Sequence, residues 1–289
     1  KGKRMNTNKR KTLLATFVAL FASGATVQAN AQNNFGEQAS SQATLDEIIV
    51  TAQKREENLQ DAALAITAIT GDALKARGID SGMDLQFLVP GLTVVNSDTS
   101  TPSVTIRGVG MDNVFLGGDP GVPIHIDGHY IQDARYVLRD LLDVERVEVL
   151  RGPQGTLYGR NASGGSINII TKRPTESFEA SLSADVGNYD KRLFQAVISG
   201  PFTDKLRGRL TIADEDRDGF VENLSGEDID SSNYTSARAM LEYDLTEDIQ
   251  VTLSAYYDDD TGAVVASRNI KEFPQPQEVT GINYYVLNN

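Results

Sequence analysis

The 289-residue chain contains no cysteine. Disulfides, thiolate metal sites and cysteine nucleophiles are therefore excluded within it. Tryptophan is absent and there are two histidines, so imidazole chemistry has few candidates. No apolar run approaches the roughly 20 residues of a transmembrane helix. A membrane protein with this sequence would have to cross by β-strands, which leave no long apolar run. Basic residues are scarce after the N-terminus. Residues 1–31 carry six Lys or Arg and no acid, which leaves 21 basic against 40 acidic residues, net −19, for the rest. Such an acidic body repels nucleic acid, whose binding depends on neutralising phosphates. It suits polar loops facing water. Apolar content is 40%, which is enough for a packed core.

The basic N-terminus has its own explanation. Lys9, Arg10 and Lys11 precede a short apolar run, Leu13 to Ala22, and a small-residue end, "GATVQANAQ". This is the pattern of a secretory signal peptide over residues 1–31, with Met5 as the start and cleavage after Ala29 or Ala31. Residues 32–58 follow as a flexible leader rich in Gln, Asn, Ser and Ala. Within it, "DEIIVT" holds a compact β-prone run, Ile48 to Val50. Such a run could add a strand to the edge of a partner's sheet, or could simply be the first strand of the next domain.

Residues 59–174 mix short strands and helices and read as an α+β domain of ordinary size. "LAITAIT" reads as a strand. "GDALKARGI" reads as a helix with Asp72 near its start and Gly78 as its stop. "SVTIRGVG", "VPIHIDGHYI", "VERVEVL" and "GSINIIT" are further strands. From residue 175 to 289 the pattern changes to polar/apolar alternation. Leu206, Leu210 and Ile212 oppose Arg207, Arg209 and Thr211; Ala237, Ala239, Leu241 and Tyr243 oppose Ser236, Arg238, Met240 and Glu242. Alternation places each set on its own face of a strand. Short turns at Gly200–Lys205 and Leu245–Asp248 alternate with a long acidic connection over 216–233. About five strands of this kind form the pattern of a transmembrane β-barrel. A soluble antiparallel sandwich with one wet face is the other reading. A membrane sheet must close on itself, so five strands would be an incomplete barrel.

Motifs for chemistry are weak. "GRNASGGS" has no Lys after its glycines and so is not a P-loop. "LRGPQGTLYG" has no nucleophilic serine between its glycines. Tight turns that let strands pack closely explain these glycines better. In an extended strand His125, Asp127 and His129 would share a face and could bind zinc or iron. Asp127-Gly128 is also a strong turn signal, which would break that alignment. Asp214, Asp216, Asp218 and Gly219 match the front of a calcium loop, but Ser225 stands where a glutamate is needed. No enzyme activity and no cofactor are expected.

The segment "VERVEVLRGPQGTLYGRNASGGSINIITKRP" resembles the plug-domain signature of the TonB-dependent outer-membrane transporters. "VPIHIDGHYI" is similar to that family's "V-x-V-D-G-V-Y" strand, with His125 and His129 as departures. "LVPGLTV" and "VTIRGVG" match further plug motifs, and "DEIIVTAQKRE" resembles a TonB box. The resemblance runs from about residue 45 to the end. It implies a signal peptide, a TonB box at Glu47, Ile48, Ile49, Val50 and Thr51, a plug, and the first strands of a barrel of about 22 strands. It also implies residence in the outer membrane of a Gram-negative bacterium, in contact with its lipid. Periplasmic TonB would pair with the box and drive uptake of an extracellular ligand. By family frequency that ligand is a ferric siderophore or another iron complex; carbohydrate, vitamin B12 and haem are the alternatives. A secreted binding module is the reading outside the family. Arg107 and Arg151 occupy the plug positions that pair with barrel carboxylates, and Met111, Asp112, Asn113, Val114 and Phe115 form the expected ligand-facing apex. Only 13 residues lie between Ala31 and Leu45, so no signalling domain is expected between them.

Overall fold

A computed structural model describes residues 49–51, 57–62, 64–95, 102–110, 120–132, 134–221, 228–262, 268–269 and 283–284. The signal-peptide segment, Glu47, Ile48 and the apex residues Met111 to Phe115 lie outside the described residues.

The α+β part is built on a five-stranded mixed sheet. Its order is β3 (Ile66–Thr70), β9 (Val144–Arg151), β10 (Gly165–Thr171), β7 (Ile124–Ile126) and β8 (His129–Ile131). Only the β10–β7 pair is parallel; the others are antiparallel. Side chains alternate across this sheet, so each face has its own chemistry. Val147, Val149, Ile167, Ile169 and Ile124 form one face and are almost wholly buried. They pack with Leu74 of helix α1 (Gly71–Ala76), Leu85 of a 3-10 helix (Gly82–Phe87) and Leu138 of helix α2 (Ala134–Arg139). Strands β4 (Leu92–Val95), β5 (Ser103–Ile106) and β6 (Val109–Gly110) form a second small sheet that adds Val94, Val104 and Ile106 to this core. The opposite face is polar: Glu148, Asn168 and His125 stand side by side across β9, β10 and β7.

Local chemistry sets several element ends. Thr70 caps α1, its hydroxyl accepting from the Ala73 amide at 3.2 Å, where the sequence drew attention to Asp72. Gly78 stops the helix at φ 65°. The double glycine of "ASGGS" is a close-packing device. A Cβ on Gly164 would lie 2.3 Å from the Val109 carbonyl oxygen, and one on Gly165 2.1 Å from that of Leu150. Only glycine lets β6 and β9 approach the start of β10 this closely.

A second five-stranded sheet follows, wholly antiparallel and in sequence order: β11 (Glu179–Val186), β12 (Arg192–Thr203), β13 (Leu206–Arg217), β14 (Ser232–Asp244) and β15 (Gln250–Asp260). The segment expected as a turn at Gly200–Lys205 is mostly strand; β12 continues to Thr203 and Asp204-Lys205 makes the turn. The ladder shifts between Pro201 and Thr203, the irregularity a proline without an N–H needs. Asp214 and Asp216 lie within β13, not in a calcium loop, and accept from Thr235 and Asn233 across the ladder.

Burial on this sheet is inverted relative to a soluble protein. Apolar Leu182, Val186, Phe202 and Leu253 are 79%, 83%, 69% and 65% exposed, whereas Thr211, Arg209, Glu242 and Arg238 are at most 7% exposed. A soluble sandwich buries the apolar face. Here the apolar face is outward and the polar face lies against the α+β domain, as in a barrel wall around a filled lumen. Among the described residues the sheet is open, with β11 and β15 as its edges. Among the described residues no helix is long and apolar enough to cross a membrane, which says nothing of strands.

Candidate functional site

Two contact regions of the α+β domain bear on function: one toward the wall sheet and one toward the leader. Toward the wall, the central group is Asp143. It sits immediately before β9 at φ 51°, a left-handed conformation that aspartate tolerates better than most residues. From β13, the Arg209 guanidinium donates to both carboxylate oxygens at 2.7 Å, and the Thr211 hydroxyl donates at 2.7 Å. From β14, Arg238 donates to the carboxylate at 3.1 Å and to the backbone carbonyls of Asp143 and Leu142 at 2.9 and 3.0 Å. The side chains of Asp143, Arg209 and Arg238 are 5%, 3% and 8% exposed. Burial pushes the Asp143 carboxyl up, but the hydrogen bonds from Arg209 and Thr211 and the charge of both arginines outweigh it. They hold the group below the usual carboxylate range.

Four further contacts surround this node. Leu142 packs on Leu193, Ala213 and Tyr234 of the wall. Arg139, at the end of α2, bonds Asp258 and Asp260 of β15, the latter at 2.9 Å, and its guanidinium lies over the Tyr234 ring. Asp140 faces Ser236, Tyr234, Glu215 and Arg139, and burial raises its pKa to about 6. Arg173, just after β10, reaches Glu242 of β14 at 3.1 Å, though the arginine is half exposed.

The contact region toward the leader is smaller. Ile49–Val50 (β1) pairs antiparallel with Glu57–Asn58 (β2). Over its described part the β-prone run is thus paired within the chain. Val50 is fully buried, and the Thr51 amide and hydroxyl donate to Glu148 Oε1 at 2.8 and 3.3 Å. Arg146 Nε shares that oxygen at 2.8 Å and Arg146 Nη2 donates to the Thr51 hydroxyl at 3.2 Å. Glu148 Oε2 is buried without a hydrogen-bond partner among the described residues.

The metal arrangement of His125, Asp127 and His129 does not form. Asp127 (φ 48°) and Gly128 (φ 80°) make the tight turn between β7 and β8, so the three side chains do not share one extended face. The Asp127 carboxylate instead accepts from the Thr171 amide and hydroxyl at 2.9 and 2.8 Å and from the Tyr256 hydroxyl of β15 at 3.2 Å. His125 is buried beside Ser166 and between the Tyr158 and Tyr130 rings, and His129 is exposed. Among the described residues no group of three His, Asp or Glu could hold a metal ion.

Of the two expected anchoring arginines, Arg107 is an exposed turn residue at φ 53° whose amide donates to the Gly91 carbonyl at 2.7 Å. Arg151 is half-buried at the end of β9, and its Nε is buried with no hydrogen-bond partner among the described residues. The Asp143 node was not foreseen. Its signal in the sequence is indirect: arginines at 209 and 238 recur on the polar face of strands whose apolar face must point to lipid.

Comparison with known proteins agrees with this architecture. Residues 58–166 match the TonB-dependent Receptor Plug Domain family. The chain is 30% identical over 197 residues to the ferripyoverdine receptor of Pseudomonas aeruginosa, covering 68% of this chain and 23% of that protein. It is 33% identical over 179 residues to the pesticin receptor of Yersinia pestis, covering 61% and 26%. It superposes on the crystal structure of the ferric yersiniabactin uptake receptor of Yersinia pestis with a TM-score of 0.62 and 29% identity, covering 68% of this chain and 31% of that one. The chain thus spans about a quarter of the length of the curated relatives it matches. With a plug domain clamped against antiparallel strands that turn their apolar face outward, the chain belongs to the TonB-dependent outer-membrane receptors.

Proposed function

We propose that the protein to which this chain belongs transports a ferric siderophore or a similar iron complex across the outer membrane, driven by TonB. Its role is transport rather than catalysis. The observation that carries this reading is the pairing of a polar wall face with the plug: charged wall residues are buried only because the plug fills the space they face. A filled lumen must be opened for cargo to pass, which requires an energy source on the periplasmic side. The segment Glu47–Thr51 is the proposed contact for TonB, by strand addition. Its described end, Ile49–Thr51, already adopts strand pairing and docks on the plug.

The iron assignment follows from the relatives, which are named for ferripyoverdine and ferric yersiniabactin. Arg151 supports its proposed anchoring role by presenting a buried donor without a partner among the described residues. Arg107, on an exposed turn, is proposed for the same role by its motif alone. Met111 to Phe115 are proposed to face the ligand. Outer-membrane lipid would contact the outward apolar residues such as Leu182 and Leu253.

Growth of a deletion strain under iron restriction tests the reading. Ferric pyoverdine, ferric yersiniabactin and other chelates would be supplied singly. Loss of growth on one or more, restored by the full-length gene, is expected. Unaltered growth on every iron chelate would contradict the iron assignment.

A further inference from the structure

Strand β9 touches both neighbours of the plug. Asp143, at its beginning, is held by the wall; Glu148, in its middle, holds the leader. The two attachments differ in what their rupture leaves behind. At Asp143 the carboxylate accepts from three side chains on two adjacent wall strands, and Thr211 and Arg238 are direct partners in that ladder. Withdrawing Asp143 would break a bidentate pair with Arg209 and a second ion pair with Arg238 at once, leaving Arg209 its longer contact with Glu179 of β11 at 3.4 Å. Charge-assisted and bidentate hydrogen bonds are the strong ones.

At Glu148 the situation is the reverse. One oxygen accepts all three donors, from the Thr51 amide, the Thr51 hydroxyl and Arg146 Nε. The other is buried and accepts from none among the described residues. If the leader departs, Arg146 remains on Glu148 and water reaches both carboxylate oxygens, which offsets the bonds lost with Thr51. The remaining losses are the Arg146 Nη2 bond to the Thr51 hydroxyl, the short pairing of Ile49–Val50 with Glu57–Asn58 and the burial of Val50.

We infer that β9 carries two retention points of unequal strength: a fixed one at Asp143 that pins the plug to the wall, and a releasable one at Glu148 that holds the leader. This deepens the proposed TonB-driven reading. A pull on the leader frees Ile49–Thr51 before it moves the plug off β13 and β14. The pin has the opposite polarity to the arginine anchors implied by the family resemblance and is independent of Arg107 and Arg151.

The test needs neither cargo nor TonB, so its failure is separable from failure of the transport reading. Full-length receptor is reconstituted in planar bilayers for conductance and in liposomes for trypsin cleavage after Lys54 or Arg55. Asp143→Asn is expected to raise conductance several-fold and leave the leader's cleavage rate as in the wild type. Glu148→Gln is expected to speed that cleavage several-fold and leave conductance unchanged. In a full-length receptor with any other cysteine replaced, the pair Asp143→Cys with Thr211→Cys gives a reversible control on folding. Reduced, it should conduct like Asp143→Asn; oxidised, it should return to the wild-type level. Wild-type conductance in Asp143→Asn, or an equal opening in Glu148→Gln, would overturn the inference. So would a pair whose conductance does not fall on oxidation.

Discussion

At the residue scale, the polar contacts between plug and wall depend on a few carboxylates placed where arginines cannot find water. Truncating Asp143 to alanine leaves Arg209 and Arg238 buried without that carboxylate, with Glu179 and two backbone carbonyls still in contact. The expected cost is about 3–5 kcal/mol in plug retention, measured by denaturant titration with a probe attached to the plug. Asp140 acts in the opposite direction. Burial, reinforced by Glu215 and opposed by Arg139, raises its pKa from 3.8 to about 6. Between those values the folded protein holds more protons than the unfolded chain, so stability falls as pH rises from about 4 to about 6 and is flat above. Asp140→Asn should remove that slope and stabilise the plug at neutral pH by at most about 3 kcal/mol. Unfolding midpoints measured across this pH range check both. Neither role was legible in "LRDLLDVE", because the partners of Asp143 lie 66 and 95 residues further along. A local window cannot hold them. Asp127 was more legible: the Asp-Gly turn signal was in plain view, and it is why no metal triad forms.

At the element scale, the wall strands were the most legible part of the chain. Strict alternation from Leu206 to Ile212 and from Ser236 to Tyr243 assigns every side chain to a face without any knowledge of partners. Strand ends were less legible, since β12 runs through Gly200-Pro201 into what looked like a turn. The glycine-rich segment that invites a phosphate-binding reading is instead where three strands crowd together. Gly165 has φ 155° and no room for a Cβ beside the Leu150 carbonyl. Gly165→Val should therefore disrupt the β9–β10 ladder and cost more than about 2 kcal/mol, combining backbone strain with overpacking. Faster hydrogen exchange at the amides of Val147 and Val149, with the wall strands unaffected, would show this. Exchange unchanged at those amides would mean that the close approach does not hold the sheet together.

At the scale of the whole molecule, two sheets with opposite burial logic share one chain. The plug sheet hides its apolar face in a core of its own, while the wall sheet shows its apolar face and hides charges against the plug. Each makes sense only with the other present, because Arg209, Arg238 and Glu242 would otherwise line an empty, water-filled space. The family and this division of labour were legible from the plug motif and the alternation together. The docked state of Ile49–Thr51 was not, because it depends on a carboxylate 97 residues away. We propose that this plug is moved by energy delivered through its leader. Uptake of radiolabelled iron is the most direct measurement, from a chelate that supports growth, in cells carrying the full-length receptor with and without Glu47–Thr51. Uptake should fall to the level of receptor-free cells when the segment is deleted, while surface binding of the chelate persists. Undiminished uptake after the deletion would contradict the claim.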